Sequence, residues 1–206
     1  MTVFLTILCI ILGYLLGSVP FALVIGKTFY DTDLRQHGSG NLGGTNAGRV
    51  LGKGAGIAVI VCDVLKVFLS VWLASNVSPA AAMLTGVACC FGHCYPIFAN
   101  FHGGKAVAAM FGFLLATSIF VFHNFWYVLA PFVMFMIVLY LYKWVSVASI
   151  CAACCSSLII TTNFWISWSG FWIILASWLI TGLVIGRHYA NIAKVRDNTE
   201  NKITWM

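Results

Sequence analysis

Apolar residues in this chain run together in stretches about as long as a bilayer is thick. A helix that crosses the hydrocarbon core needs about 20 apolar residues, within a range of roughly 17–25. Such stretches fall at Val3–Ile25 and at about 55–75, 80–99, 106–122, 125–142, 144–160 and 166–186. Of the 206 residues, 62% are hydrophobic and 8% are charged, where soluble domains carry about 25% charged residues. Too little polar surface remains to coat a water-soluble fold. Disordered, collagen-like and disulfide-scaffold architectures fail on the same composition. The first run lacks a basic flank and is too long for a signal peptide, so it reads as a retained span. The chain therefore reads as all-α: a polytopic integral membrane helical bundle of seven transmembrane helices, in a single domain over 1–206.

Charge then sets the orientation. Eleven Lys and Arg against five Asp and Glu leave a net charge of +6. The segments 27–54, 100–105, the turn at Lys143 and 187–206 hold Lys27, Arg35, Arg49, Lys53, Lys105, Lys143, Arg187, Lys194, Arg196 and Lys202. The alternate loops, near 76–79, 123–124 and 161–165, hold no basic residue, and Lys66 lies inside a span. Basic loops stay cytoplasmic, which predicts the N-terminus outside and the C-terminus in the cytoplasm. Trp72, Trp126, Trp144, Trp165 and Trp168 fall near span ends, where an aromatic belt places them.

Polar groups are costly in such a chain unless they are paired or used. Three clusters stand out, all on the basic face. The first runs from Asp33 to Arg49 and combines Gly38, Gly40, Gly43, Gly44 and Gly48 with Ser39, Asn41, Thr45 and Asn46, between Arg35 and Arg49. Glycine lets backbone N–H groups converge on an anion, and guanidinium matches phosphate bidentately. A flexible polar linker is the plainer alternative. The second cluster is Gly92-His93-Cys94-Tyr95-Pro96, followed by Gly103-Gly104-Lys105 at the start of the next helix. It reads as an anion site at a helix N-terminus or as a turn with a snorkelling lysine, and it is not a Walker A loop. The third, Arg187-His188-Tyr189-Ala190-Asn191, places His188 and Asn191 three apart, on one face if the helix continues; a simple membrane anchor is the alternative.

Asp63 and Lys66, at i,i+3 inside the second span, read as a structural ion pair, with direct substrate contact as the other possibility. The eight cysteines lie almost wholly in apolar runs and read as small packing residues. Carboxylates are scarce, and no set suited to a catalytic metal is present. The clusters together point to binding of phosphate-bearing substrates at the cytoplasmic interface, with acyl chains arriving laterally from lipid. A transporter for an organic anion such as glycerol phosphate is the rival, and it calls for an internal repeat and mid-membrane polar residues.

Six motifs in order give the chain a family likeness. They are Gly17-Ser18-Val19-Pro20; Gly38-Ser39-Gly40-Asn41-x-Gly43-x-Thr45-Asn46-x-x-Arg49; Asp63-x-x-Lys66; Gly92-His93-x-Tyr95-Pro96; Gly103-Gly104-Lys105; and Arg187-His188-x-x-Asn191. The chain resembles, over nearly its whole length, the bacterial acyl-phosphate:glycerol-3-phosphate acyltransferases of the PlsY type. The resemblance implies transfer of a fatty acyl group from acyl phosphate to the 1-hydroxyl of glycerol 3-phosphate, the first acylation of phospholipid biosynthesis, with neither metal nor cofactor. It implies a bacterial inner-membrane, multi-pass protein whose active site faces the cytoplasm. The acyl-phosphate-forming enzyme is a candidate partner, and nucleic acid is not one.

By motif, Ser39, Arg49, His188 and Asn191 fall at catalytic positions. Arg35, Gly38, Gly40, Asn41, Thr45, Asn46, Gly103, Gly104 and Lys105 are expected to bind substrate or phosphate, and Asp63, Lys66, His93 and Glu200 to support the structure. Two departures are visible: Gly44 stands where the family usually has Ala, and Ala106 and Ala109 stand where it usually has Gly and Thr. The hydroxyl's proton is expected to go to the donor phosphate, with His188 as a phosphate ligand. His188 as general base and an acyl-enzyme on Ser39 remain open.

Overall fold

A computed structural model describes residues 1–165 and 168–203, with only the backbone of Trp168 and Ser169. Trp168, placed in the aromatic belt above, and the first residues of the last span therefore lie outside the described side chains. Among the described residues the chain is all-helical and has no strand. The helices are α1 (Thr2–Gly17), α2 (Phe21–Tyr30), α3 (Gly44–Val50), α4 (Lys53–Ser75), α5 (Pro79–Cys94), α6 (Val107–Phe120), α7 (Trp126–Tyr142), α8 (Val145–Phe164), α9 (Trp168–Arg187) and α10 (Tyr189–Arg196), with a 3₁₀ turn at Ile97–Ala99.

Five helical stretches among the described residues are long and apolar enough to cross a membrane: Thr2–Tyr30, Lys53–Ser75, Pro79–Ala99, Val145–Phe164 and Gly170–Arg187. Val107–Phe120 and Trp126–Tyr142 are apolar but shorter. At 1.5 Å per residue they reach roughly 21 and 26 Å, a little less than a hydrocarbon core of about 30 Å.

The run expected as one span at Val3–Ile25 is broken. Ser18 caps α1, and its hydroxyl bonds the Tyr14 carbonyl at 2.8 Å. Pro20 begins the second piece; it disfavours a helical Val19 and has no N–H to offer the ladder. The Val19 carbonyl is thereby released from the helix. The Lys66 ammonium, buried on α4, donates to it at 3.0 Å. Lys66 also sits 2.8 Å from the Asp63 carboxylate, and His93 Nδ1 of α5 lies 3.3 Å from the same oxygen. One buried ionic cluster thus fastens the α1–α2 break, α4 and α5 together.

Small residues bring the backbones close, as they do between membrane helices. A Cβ on Gly17 would overlap the Cys89 backbone of α5, and one on Gly92 would overlap Tyr14 of α1. Gly112 of α6 meets Val64 of α4 in the same way. Cys89, Cys90 and Cys94 are buried in these interfaces, and all eight cysteines are free. Trp72, Trp126 and Trp165 are exposed as a belt requires, whereas Trp144 is half-buried.

A Lys66→Met variant leaves the Asp63 carboxylate buried without its ammonium. It should lose about 3–5 kcal/mol of stability, read as a lower unfolding temperature in detergent. Removing both charges together, in Asp63→Leu/Lys66→Met, should restore much of the loss.

Candidate active site

The three polar clusters meet at one end of the bundle, around a cavity of about 320 Å³. Ser39, Asn41, Thr45, Asn46 and Arg49 reach it from the first loop and α3; Asp63 and His93 from α4 and α5; Lys105 from the start of α6; and His188, Asn191 and Glu200 from the end of the chain.

The first loop is half helix. Gly44 and Gly48, expected to belong to an anion nest, lie in α3 and let it press on α4, where a Cβ on Gly56 would overlap the Gly48 Cα. Of the five glycines between 38 and 48, Gly38 and Gly40 alone take positive φ, at 63° and 69°, and neither lines the cavity. Asn46 is buried, and its amide is spent on the loop. It accepts from the Ser39 N–H at 2.9 Å and donates to the His37 carbonyl at 3.1 Å. Among the described residues, Ser39 Oγ, the Asn41 amide and the Arg49 guanidinium have no partner, so they face the cavity unengaged. Arg35 lies outside it, on Asp33. That pairing holds the Asp33 carboxyl well below the usual carboxylate range.

Gly103 and Gly104 are buried beside the cavity rather than in it. The Gly104 N–H donates to the His93 carbonyl at 3.0 Å, and a Cβ there would strike the His93 ring. Their carbonyls accept from the Arg187 guanidinium at 2.9 and 3.0 Å. This clamp aims Lys105 inward. Its ammonium donates to Asn191 Oδ1 at 2.5 Å, and Asn191 Nδ2 donates to both Glu200 oxygens at 2.7 and 2.9 Å. Burial pulls the Lys105 pKa down, and Glu200 opposes that fall.

Ala106 follows in the left-handed region, at φ 60°. A left-handed conformation costs a residue with a Cβ about 1–2 kcal/mol, which explains why glycine is the usual occupant in the family this motif resembles.

The last span does not continue smoothly. It ends at Arg187, and His188 caps α10 with φ −99°. His188 and Asn191 nevertheless line the same cavity. His188 Nδ1 sits 2.8 Å from the Val184 carbonyl, so Nδ1 carries the proton and Nε2 keeps its lone pair. Burial pushes the imidazole down to about 4, so it is neutral near pH 7.

Sequence reasoning missed three parts of the cavity. Lys194 lines it from a position three residues beyond Asn191, a spacing that could have revealed it. Ser146 lines it with a buried hydroxyl that has no partner among the described residues. Phe111, Phe132 and Phe135 form its apolar wall, with edge-to-face ring pairs at 6.0 and 5.8 Å; Phe132 is 48% exposed.

Comparison with known proteins identifies the family that carries this cavity. The family model described as glycerol-3-phosphate acyltransferase matches residues 7–198. The chain belongs to the glycerol-3-phosphate acyltransferase family. The glycerol-3-phosphate acyltransferase of Bacillus cytotoxicus is 43% identical over 203 residues, covering 97% of this chain and 96% of its own. That of Listeria monocytogenes is 42% identical over 205 residues, covering 97% and 98%. The crystal structure of PlsY, an integral membrane glycerol 3-phosphate acyltransferase, in its glycerol 3-phosphate form superposes with a TM-score of 0.87. It is 32% identical, and the match covers 97% of this chain and 96% of that one. Its lysophosphatidic acid form gives a TM-score of 0.84 at 31% identity. The acyltransferase is therefore an integral membrane enzyme with a helical bundle like that of PlsY.

Two outcomes follow from this geometry. Ala106→Gly should raise stability by about 1 kcal/mol, read from thermal unfolding in detergent. For His188 the folded pKa lies below the ordinary imidazole value, so folding releases protons and stability falls as pH drops from about 6.5 toward 4. His188→Gln should therefore flatten the decline of unfolding temperature between pH 7.5 and pH 5.

Proposed function

We propose that this acyltransferase moves a fatty acyl group from acyl phosphate to the 1-hydroxyl of glycerol 3-phosphate. The products are 1-acyl-glycerol 3-phosphate and inorganic phosphate, in the first acylation of phospholipid biosynthesis. One observation carries the reading: a single cavity is lined by more cations than carboxylates and also by a phenylalanine wall. Arg49, Lys105 and Lys194 outnumber the one cavity carboxylate not tied into the Asp63–Lys66 pair, that of Glu200. Phosphate groups complete such a site, and an alkyl chain fits beside Phe111, Phe132 and Phe135.

The seven apolar helical segments are proposed as seven spans, with α1 and α2 forming one broken span. The N-terminus then lies outside and the cavity opens at the cytoplasmic face of the bacterial inner membrane. Basic residues concentrated at the cavity end support that orientation.

An acyl phosphate is already activated, so the enzyme's work is to align two anions and offset their repulsion. Arg49 and Lys105 take the phosphates, and the Ser146 hydroxyl adds a donor. The glycerol 3-phosphate hydroxyl attacks the acyl carbon, while Ser39 Oγ and the Asn41 amide donate to the developing oxyanion. The C–O bond to phosphate breaks, and its electron pair leaves with the phosphate. The attacking hydroxyl donates to His188 Nε2, whose lone pair suits it to accept a proton rather than to bind phosphate. The proton then passes to the departing phosphate, which is the stronger base. In this proposal His188 thus takes the proton-acceptor alternative over the phosphate-ligand one.

The test uses purified protein in detergent with palmitoyl phosphate and glycerol 3-phosphate, following phosphate and lysophosphatidate. Palmitoyl coenzyme A serves as the comparison donor. Product should form from palmitoyl phosphate, and absence of product across pH would sink the reading. Arg49→Ala should lower kcat/KM by about tenfold to a hundredfold.

A further inference from the structure

The chain's last described segment does more than trail from α10. After Arg196 it turns back, with the Thr199 and Glu200 N–H groups donating to the Lys194 carbonyl at 2.8 and 3.1 Å. It then crosses to the turn between α7 and α8. There the Ile203 N–H donates to the Lys143 carbonyl at 2.9 Å. Ile203 packs against Val138, Leu139 and Ala148. The Lys202 ammonium lies 5.1 Å over the Trp144 ring, and the Trp144 indole N–H donates to the Glu200 carbonyl at 3.3 Å.

Glu200 is thus held from both sides. Its side chain is the one that orients the Asn191 amide, with Nδ2 toward the carboxylate and Oδ1 toward Lys105. If the Glu200 backbone drifts, the amide loses its anchor and the ammonium its acceptor. An indole placed for the membrane belt would point its N–H outward to water and headgroups. This one is turned inward, onto a backbone carbonyl 56 residues further along the chain.

We infer that Trp144 is a positioning residue, acting through Glu200 and Asn191 to hold Lys105 in the geometry that receives a substrate phosphate. The inference rests on the proposed acyl transfer. It assigns the α7–α8 turn a part in the site although no side chain of that turn before Val145 reaches the cavity.

The experiment compares Trp144→Phe with wild type, alone and in a Glu200→Gln background. Phenylalanine keeps an aromatic face for Lys202 but loses the indole N–H and the fused ring that carries it. Trp144→Phe should raise KM for glycerol 3-phosphate by about threefold to tenfold, with kcat changed by less than about twofold. In the Glu200→Gln background the same change should add less than about twofold, because the route through the carboxylate is already broken. Equal losses in both backgrounds, or an unchanged KM, would overturn the assignment. Hydrogen exchange gives a readout independent of turnover: amides in 199–203 should exchange faster in Trp144→Phe, while the unfolding temperature stays near that of wild type. Unchanged exchange there overturns the latch by itself. If wild type makes no lysophosphatidate, the proposed reaction fails, and exchange alone then decides whether Trp144 holds the segment.

Discussion

The cavity end of this bundle is organised around one carboxylate. Asp63 is buried in a lipid-facing architecture, where an unpaired charge is prohibitively costly. Its ion pair with Lys66 removes that cost, but a well-packed apolar pair would do as much for stability. What the ions add is connection. Lys66 reaches the Val19 carbonyl, which Pro20 has released from the first helix, and so fixes where the broken span bends. His93 lies against the same carboxylate and hands the constraint on, because its carbonyl takes the Gly104 N–H. From there Arg187 clamps the two glycine carbonyls and Lys105 is left pointing inward. A break in one helix is thus coupled through four elements to a cation that lines the cavity.

Much of this could be read from the residues. The apolar runs located every long helix, because periodic burial is unnecessary when both the lipid and the neighbouring helices are apolar. The Asp63–Lys66 spacing announced a pair. Other features were hidden for definite reasons. Glycine is ambiguous: in the first loop it was read as a backbone nest, yet Gly44 and Gly48 serve close helix packing on Gly56, which depends on a tertiary contact. Asn46 was read as a ligand, but its amide staples the loop, because Gly38 folds the chain back over it. Arg35 has the right chemistry in the wrong place, since Asp33 two residues earlier captures it. The phenylalanine wall carries no sequence signal among sixteen Phe in the chain.

The departure at Ala106 shows how a resemblance and a dihedral angle inform one another. Sequence comparison alone marks the loss of a glycine in a phosphate loop. The structure shows what that glycine is for: the backbone there is left-handed, at the last residue before α6 begins. Alanine adopts the same conformation at a cost, so the loop's shape is retained and some stability is given up. The rest of the loop absorbs this because Arg187 and His93 already over-determine its path.

The charges of the cavity make most sense as an incomplete set. Lys105 and His188 are both pulled toward their neutral forms by burial, and neighbouring cations push the same way. Glu200 alone does not balance Arg49, Lys105 and Lys194. A phosphate dianion entering this region supplies the missing negative charge, and by linkage it raises the proton affinity of both groups as it binds. Lys105 then becomes a firmer cation where it is needed. In the proposed reaction His188 becomes a better proton acceptor only when substrate is present, so a group that is a weak base in the empty site is strengthened by the ligand whose hydroxyl donates to it. The proposed transfer leaves phosphate and a lipid phosphate together in a cavity with cations enough for little more than one of them. Their repulsion favours release of the soluble one, while the alkyl chain keeps the other against the phenylalanine wall, beside the membrane into which it must pass.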